Sequence, residues 1–149
     1  MRRTWICAAA AVMLALGAAV WMKAAGGAAV TYVSHAKVAE SLAKGGNLVT
    51  ASDLIVLGSH RAGPGQVEVH DKETDVFYVV EGEATIVTGG TMVGGKVSKP
   101  GQWLGKDIQG GESRKLSKGD VMVIPAGIPH WFKEVSPSIN YYVVKVLKP

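Results

Sequence analysis

Three ionisable side chains in one strand-like stretch have the types and spacing of metal ligands. In VEVHDKETDVFYVVEG, residues 67–82, Glu68 and His70 lie two positions apart, so both side chains project from the same face of a strand. Asp75 opens the next strand after the short connection DKET and can approach that face. Two carboxylates and an imidazole that converge in this way can bind a divalent metal ion. The alternative is an ordinary strand with solvated charges.

A second block, GDVMVIPAGIPHWFKE at residues 119–134, places another imidazole after a rigid turn. An apolar strand leads into the turn PAGIP, and His130 follows Pro129 directly. Proline fixes its own backbone and restricts that of its neighbour, which is a way to aim one side chain. A lone histidine after a turn is more often a surface residue, so His130 becomes a candidate ligand only together with the first block.

Together the two blocks resemble the cupin superfamily and its small single-domain members. That superfamily carries the motifs G-x5-H-x-H-x(3,4)-E-x6-G and G-x5-P-x-G-x2-H-x3-N, separated by a variable insert. The second motif is matched here by Gly119, Pro125, Gly127 and His130, with Glu134 in the place of the usual Asn.

The first motif is matched with substitutions. His70 takes the place of the second His, Asp75 that of the Glu, and Glu68 that of the first His, while Gly82 ends the block. The resemblance covers about residues 50–147 in the order of the expected strands.

The resemblance implies an all-β fold, a small antiparallel barrel of the jelly-roll or double-stranded β-helix type, with a divalent metal at its open end. The implied metal ligands are Glu68, His70, Asp75 and His130. Manganese, iron, zinc and nickel all suit two imidazoles with carboxylates, and the extra oxygen favours the harder ions. The shorter Asp75 could also bind through water or accept a hydrogen bond from an imidazole. In cupin-like barrels without metal, these four residues would be solvated or hydrogen-bonded to one another.

The elements expected around these residues are one helix and many short strands. SHAKVAESLAKGG, residues 34–46, predicts a helix capped by Ser34 and ended by Gly45. Short β-rich runs separated by turns such as AGPG and EGE predict a barrel or sandwich, with strands at 54–60, 66–70, 75–81, 83–89, 113–117, 121–125, 130–135 and 140–147. The glycine-rich insert at 89–111 is either a surface loop or a lid over a pocket.

Further side chains are candidates for a substrate site. The predicted substrate-binding residues are His60, Arg61, Tyr78 and Trp131. Arg61 could hold a carboxylate, because its guanidinium forms paired hydrogen bonds with carboxylates, or it could lie at the surface beside a turn. The aromatic side chains could line a pocket or pack in the core.

The amino terminus predicts export. Arg2 and Arg3 precede an apolar run at residues 5–22 and then a small-residue tract, which is the order of an export signal. We therefore divide the chain into a leader, residues 1–29, and one cupin barrel domain, residues 30–149. The protein would then be periplasmic or extracellular. Alternatively, the apolar run is an uncleaved anchor in the inner membrane.

The charge balance and cysteine count exclude several classes of protein. Of the sixteen basic residues, Arg2, Arg3 and Lys23 lie in the leader, which leaves thirteen against twelve acidic residues. This near-neutral domain gives no support to a nucleic-acid partner. Cys7, the one cysteine, also lies in the leader, so the domain has no thiol for a disulfide or for catalysis.

Two functions remain. One is a metal-dependent enzyme, an oxidoreductase, isomerase or lyase, that acts on a small oxygenated or carboxylate substrate with Glu68 or Glu134 as catalytic base. Glu134 could instead pair with Lys133 at the surface. The alternative function is a non-catalytic module that binds a small ligand. NYYVVKVL, residues 140–147, could be the edge of a homodimer or an internal strand.

Overall fold

The computed structural model describes residues 29–149 of the chain. The predictions for the leader, including the export signal, the alternative anchor at residues 5–22 and Cys7, lie outside these residues. Within residues 29–149, no helix is both long and apolar enough to cross a membrane. Residues from Thr31 to Pro149 form one unit of the chain.

The predicted helix is present as α1, His35–Lys44. The Ser34 hydroxyl accepts a backbone N–H of the first turn at 3.4 Å, and Gly45 ends the helix at φ 76°. The buried Ser41 faces the sheet, where its hydroxyl oxygen accepts the backbone N–H of Gly58 at 3.0 Å. A Cβ on Gly58 would lie 2.6 Å from that oxygen, so glycine is required for this close approach.

All strand pairs of the described residues are antiparallel. One nine-stranded sheet contains the strand order β1-β2-β11-β3-β7-β6. In the same sheet, β4 pairs with β11 and also with β9 and β10. Strands β5 and β8 form a separate two-stranded sheet. The all-β prediction is confirmed. The strands are β1 Gly46–Thr50, β2 Leu54–Arg61, β3 Val67–His70, β4 Glu73–Thr88, β5 Thr91–Val93, β6 Lys96–Lys99, β7 Gln102–Gly105, β8 Asp107–Gln109, β9 Glu112–Ser117, β10 Val121–Ile124 and β11 His130–Leu147.

Two long strands replace pairs of predicted short ones. β4 runs through the predicted turn EGE, and β11 joins the two predicted strands at its ends, so the prediction of a tight turn at EGE is wrong. Instead Gly82 bends β4 at φ 79°, opposite an irregularity in β11, where a Cβ would collide with the carbonyl oxygen of Ser138. β11 pairs with β2 on one side and β4 on the other, so residues 140–147 form an internal strand.

The insert at residues 89–111 forms strands β5 to β8. β7 pairs with the motif strand β3, with Val69 opposite Trp103 and His70 opposite Gln102. The Trp103 Nε1–H donates to Asp71 Oδ1 at 3.0 Å. The insert thus covers an edge of the strand that carries the first motif.

Alternating side chains of the long strands fill the core. Three aromatic rings form its centre, with ring centroids of Phe77, Phe132 and Tyr141 between 5.0 and 5.7 Å apart. The His130 ring lies 6.3 Å from that of Phe77, so the polar site begins where this aromatic core ends. The core residues are Phe77, Val79, Ala84, Ile86, Leu116, Ile124, Phe132, Ile139, Tyr141 and Val143.

Candidate metal site in the central cavity

Three strands bring six ionisable side chains together. β3 carries Glu68 and His70, β4 carries Glu73 and Asp75, and β11 carries His130 at its start and Lys145 near its end. The length and bend of β11 make this possible, because His130 pairs with Glu68 while Lys145 lies opposite Asp75. The four predicted metal ligands, Glu68, His70, Asp75 and His130, therefore meet in one place.

The turn PAGIP links the two motif blocks and orients His130. Gly127, at φ 83°, donates its backbone N–H to the carbonyl oxygen of His70 at 2.7 Å. The Nδ1 of His130 lies 3.2 Å from the carbonyl oxygen of Ile128. When Nδ1 carries the proton and donates it there, Nε2 keeps its lone pair for the cluster.

The distances within the cluster suit one metal ion. The Nε2 of His70 lies 3.5 Å from Glu68 Oε2 and 3.4 Å from Asp75 Oδ2, and the Nε2 of His130 lies 3.7 Å from the same Asp75 oxygen. Ligand atoms of Glu68, His70 and His130 all lie within 4.8 Å of one another. Two ligands bound at about 2.1 Å to one ion are themselves roughly 3 to 3.5 Å apart. Two imidazoles and a carboxylate therefore fit a divalent ion with small adjustments.

Two members of the cluster were not predicted from the sequence. The Lys145 Nζ lies 2.8 Å from Glu73 Oε2, 2.8 Å from Asp75 Oδ1 and 3.1 Å from His70 Nε2. Glu73 belongs to a second group of potential ligands, with His70 and Asp75. The period of two would have indicated both residues, since Glu73 precedes Asp75 by two positions and Lys145 follows the buried Val143 by two.

The pKa values of Glu68 and Asp75 both lie below their ordinary values, which favours the ionised carboxylates. Burial acts to raise the pKa of Glu68, but contact with His70 and the nearby positive charges outweigh it, so this pKa lies below its ordinary value. Burial opposes ionisation of Asp75 in the same way, and His70 and Lys145 outweigh it and lower that pKa. Burial also disfavours the charged form of Lys145, but the Asp75 and Glu73 carboxylates prevail and raise its pKa.

The two imidazoles differ in charge. Burial lowers the pKa of His130, and the Ile128 carbonyl and the carboxylates do not compensate. Burial also acts against protonation of His70, yet the contacts with Asp75 and Glu68 raise its pKa to about 9. At pH 7 the lowered pKa favours the neutral form of His130, whereas the raised pKa of His70 favours, without metal, the positively charged form with both ring nitrogens protonated.

A cavity of about 180 Å³ opens beside this cluster. The side chains of Glu68, Asp75, His130 and Lys145 line it together with Arg61, whose guanidinium lies over the Phe132 ring at 5.0 Å. The Arg61 Nε is buried and has no hydrogen-bond partner among residues 29–149. None of the described lining residues comes from the insert at 89–111.

The other predicted site residues lie elsewhere. His60 projects from the opposite face of β2 and pairs through Nδ1 with Asn140 Oδ1 at 2.7 Å. Tyr78 is exposed, and Trp131 packs against a separate apolar cluster, with its Nε1–H donating to the Gly65 carbonyl at 2.8 Å. Glu134 accepts a hydrogen bond from Thr85 at 3.1 Å in an outer groove. Of the four predicted substrate-binding residues, the structure brings only Arg61 to the cavity.

Several solved protein structures are similar to this fold. The structure is similar to KdgF from Halomonas sp., at 19% identity over 70% of this chain and 79% of that one, with a TM-score of 0.50. It is also similar to BH2720 from Bacillus halodurans, at 15% identity over 69% of each chain, with a TM-score of 0.51. It matches the cysteine peptidase Peruvianin-I from Thevetia peruviana latex at 15% identity and a TM-score of 0.43, over 64% of this chain and about half, 51%, of that chain.

At these identities the structural likeness concerns the fold alone. No curated protein sequence matches the chain. The sequence profile of the family described as Cupin matches residues 27–149, which include all the described residues and both motif blocks. The chain belongs to the cupin family.

Proposed function

We propose that this protein is a metal-dependent enzyme that holds one divalent ion in its barrel and acts on a small oxygenated or carboxylate substrate. The observation that carries the proposal is the convergence of the His70 and His130 Nε2 atoms with ionised carboxylates at 3.4 to 3.7 Å, beside a cavity. Manganese, iron, zinc and nickel fit these ligands. When bound, such an ion acts as a Lewis acid that polarises a substrate oxygen.

The residues around the ion would divide the remaining tasks. His70 and His130 hold the metal, and Glu68 either completes its ligands or accepts a proton from the substrate, since it is ionised and lines the cavity. Glu134, the second predicted base, would have to act from the outer groove, so we favour Glu68.

Arg61 is the residue that would bind the substrate. Arg61 lines the cavity, and its positive charge would attract a carboxylate or another anion that enters there. Gly65 leaves room for the Arg61 side chain, because a Cβ there would lie 2.5 Å from an Arg61 nitrogen. The volume, about 180 Å³, is below the range of sites for drug-sized ligands and favours a small molecule.

Metal analysis tests the proposal directly. We expect purified protein to contain about one divalent ion per chain, and His70→Ala or His130→Ala to lower that content by about tenfold or more. His60→Ala is the matched control, since His60 lies outside the cavity and its loss leaves all proposed ligands in place. A low metal content that is the same in wild type and in all three variants would contradict the metal site.

A second candidate is a non-catalytic module that binds a small anionic ligand without metal. The position of Lys145 favours this second function. Its ammonium group already contacts Asp75, Glu73 and His70 and so supplies the positive charge that a metal ion would otherwise supply. A panel of small carboxylates tested by thermal shift separates the two functions. A ligand that stabilises the protein equally before and after chelation, and equally in His130→Ala, supports the second function.

Export remains part of the proposal. It is supported by the basic residues and apolar run at the amino terminus, with an anchor in the inner membrane as the alternative. Cell fractionation with mass determination of the mature protein separates a cleaved periplasmic or extracellular form from a full-length membrane form. A homodimer is supported by exposed apolar side chains on the outer sheet face, among them Val121, Val123 and Tyr78, and light scattering measures it.

A further inference from the structure

Lys145 places a permanent positive charge inside the cluster. Its Nζ lies 2.8 Å from one oxygen each of Glu73 and Asp75, and the side chains of Lys145 and Asp75 are 17% and 4% exposed. Ion pairs held at this distance and this well shielded from water are strong and persistent compared with surface pairs. The two carboxylates are therefore occupied by a cation that belongs to the protein itself.

The same ammonium lies where a metal ion would compete with it. It is 3.1 Å from the Nε2 of His70, the atom that also faces Glu68 and Asp75. A divalent ion bound by that Nε2 would lie close to the ammonium, in a region of low dielectric where like charges repel strongly. A bound metal ion and the Lys145 ammonium thus destabilise each other.

We propose that Lys145 is a built-in cation that withdraws Asp75 and Glu73 from the metal and confines it to Glu68, His70 and His130. This inference rests on the proposed metal site and deepens it. Lys145 then acts as a positioning residue that sets both the ligand set and the metal affinity. The ion keeps a two-histidine, one-carboxylate set, in which remaining positions are open to water or substrate.

The register between β11 and β4 places Lys145 at the cluster. Lys145 and Asp75 are directly opposed on β11 and β4, and Tyr141, Val143 and Lys145 alternate on the inward face of β11. A lysine in such a series costs burial energy unless a partner is provided. Here two carboxylates from β4 provide it.

Metal titration of Lys145→Met tests the inference. We would strip the full protein with chelator and measure binding of Mn²⁺ and of Zn²⁺ by calorimetry. We expect Lys145→Met to bind both ions about tenfold or more tighter than wild type, which corresponds to about 1.4 kcal/mol. Lys115→Met is the matched control, because it removes one charge and one ion pair, with Glu83, at the surface. Its affinities should stay within about twofold of wild type.

A second pair of variants tests the ligand set. If Lys145 withdraws Asp75 from the metal, Asp75→Asn should lower the affinity at least about fivefold more in the Lys145→Met background than in wild type, as a double-mutant cycle measures. Equal losses in both backgrounds would overturn the inference. Should Lys145→Met fail to fold, the charge-matched double variant Lys145→Met/Asp75→Asn is compared with Asp75→Asn alone, and tighter metal binding by the double variant is again expected.

The outcomes separate this inference from the proposed metal site. Wild-type binding that is unchanged or weakened by Lys145→Met overturns the role of Lys145 and leaves the metal site in place. Binding by Lys145→Met but not by wild type upholds the competition and overturns the proposed metal enzyme. Absence of binding in both proteins overturns both.

Discussion

His70 and His130 direct their Nε2 atoms toward the same oxygen of Asp75, at 3.4 and 3.7 Å, but from two regions of very different charge. The region at β3 and the start of β4 surrounds His70 with three carboxylates. The region at the start of β11 surrounds His130 with the Phe77 ring and the Ile128 carbonyl. At pH 7, and without metal, the raised pKa of His70 therefore favours a positively charged imidazolium, whereas the lowered pKa of His130 favours a neutral imidazole.

Because the pKa values of the two imidazoles differ, one site can accept either protons or a metal ion. A histidine must be deprotonated to bind a metal ion. His130 is already neutral because burial lowers its pKa, whereas His70 must release the proton that its carboxylate neighbours favour. The start of β11 supplies a preformed ligand, and the β3 and β4 region supplies the negative charge that attracts a cation.

Loss of the shared carboxylate should have the largest effect. Asp75→Ala removes the most buried carboxylate that contacts Lys145 and His70 and leaves them only the more exposed Glu73 and Glu68, and we expect the free energy of unfolding to fall by about 3 kcal/mol. Urea unfolding of the metal-free protein measures it. Glu83→Ala is the control, since it removes the carboxylate of an exposed pair with Lys115 and should cost well under about 1 kcal/mol. Equal costs would show that the β3 and β4 region does not depend on its charges.

A smaller effect should follow from changing the turn that orients His130. Gly127→Ala places a side chain at φ 83°, which costs about 1 to 2 kcal/mol of stability. Gly110→Ala provides the control, because Gly110 has a similar φ of 71° but lies in the insert. Both variants should lose similar stability by urea unfolding, while only Gly127→Ala should weaken Mn²⁺ binding. Equal Mn²⁺ affinities would mean that the turn does not orient His130.

The smallest expected effect is a difference in the pH dependence of stability. In metal-free protein the raised pKa of His70 contributes stability that is fully present below pH 6.5 and is lost as the pH rises through about 9. The lowered pKa of His130 has the opposite sign, so His130 destabilises the fold as the pH falls below 6.5. Lys145, 3.1 Å from His70, reduces the gain from protonating His70.

Urea unfolding as a function of pH measures both contributions. His70→Gln should remove the loss of stability between pH 6.5 and about 9, and His130→Gln should reduce the loss below pH 6.5. The charged groups that contact His70, namely Glu68, Glu73, Asp75 and Lys145, are unchanged in both variants, whereas His130→Gln also replaces the neighbouring imidazole. Identical profiles for the two variants would remove the distinction between the imidazoles.

Much of the fold follows from local sequence signals. The helix begins after Ser34 and ends at Gly45 as the capping residues predict, and the turn AGPG separates β2 from β3. The signals failed where local preference and tertiary pairing disagree. Gly82 looks like a turn residue, but its lack of a side chain serves a bend inside β4, where the backbone of β11 approaches closely.

Only part of the candidate site was predicted from the sequence. Glu68, His70, Asp75 and His130 were identified from spacing and motif and are adjacent in space. His60, Tyr78 and Trp131 were chosen because they neighbour the motifs in sequence, but alternation along the strands or packing of the insert directs them away from the cavity. Nearness in sequence does not determine which face a side chain occupies.

The sequence by itself determined the residue types that can bind a metal, their alternation on two strands and the cupin pattern that joins them. Only the tertiary structure decided that Lys145 shares the site. Asp75 and Lys145 are 70 residues apart, and their contact depends on the register between β4 and β11. That register is set by packing along two long, bent strands, because a shift of one residue would turn every inward side chain outward and expose the core.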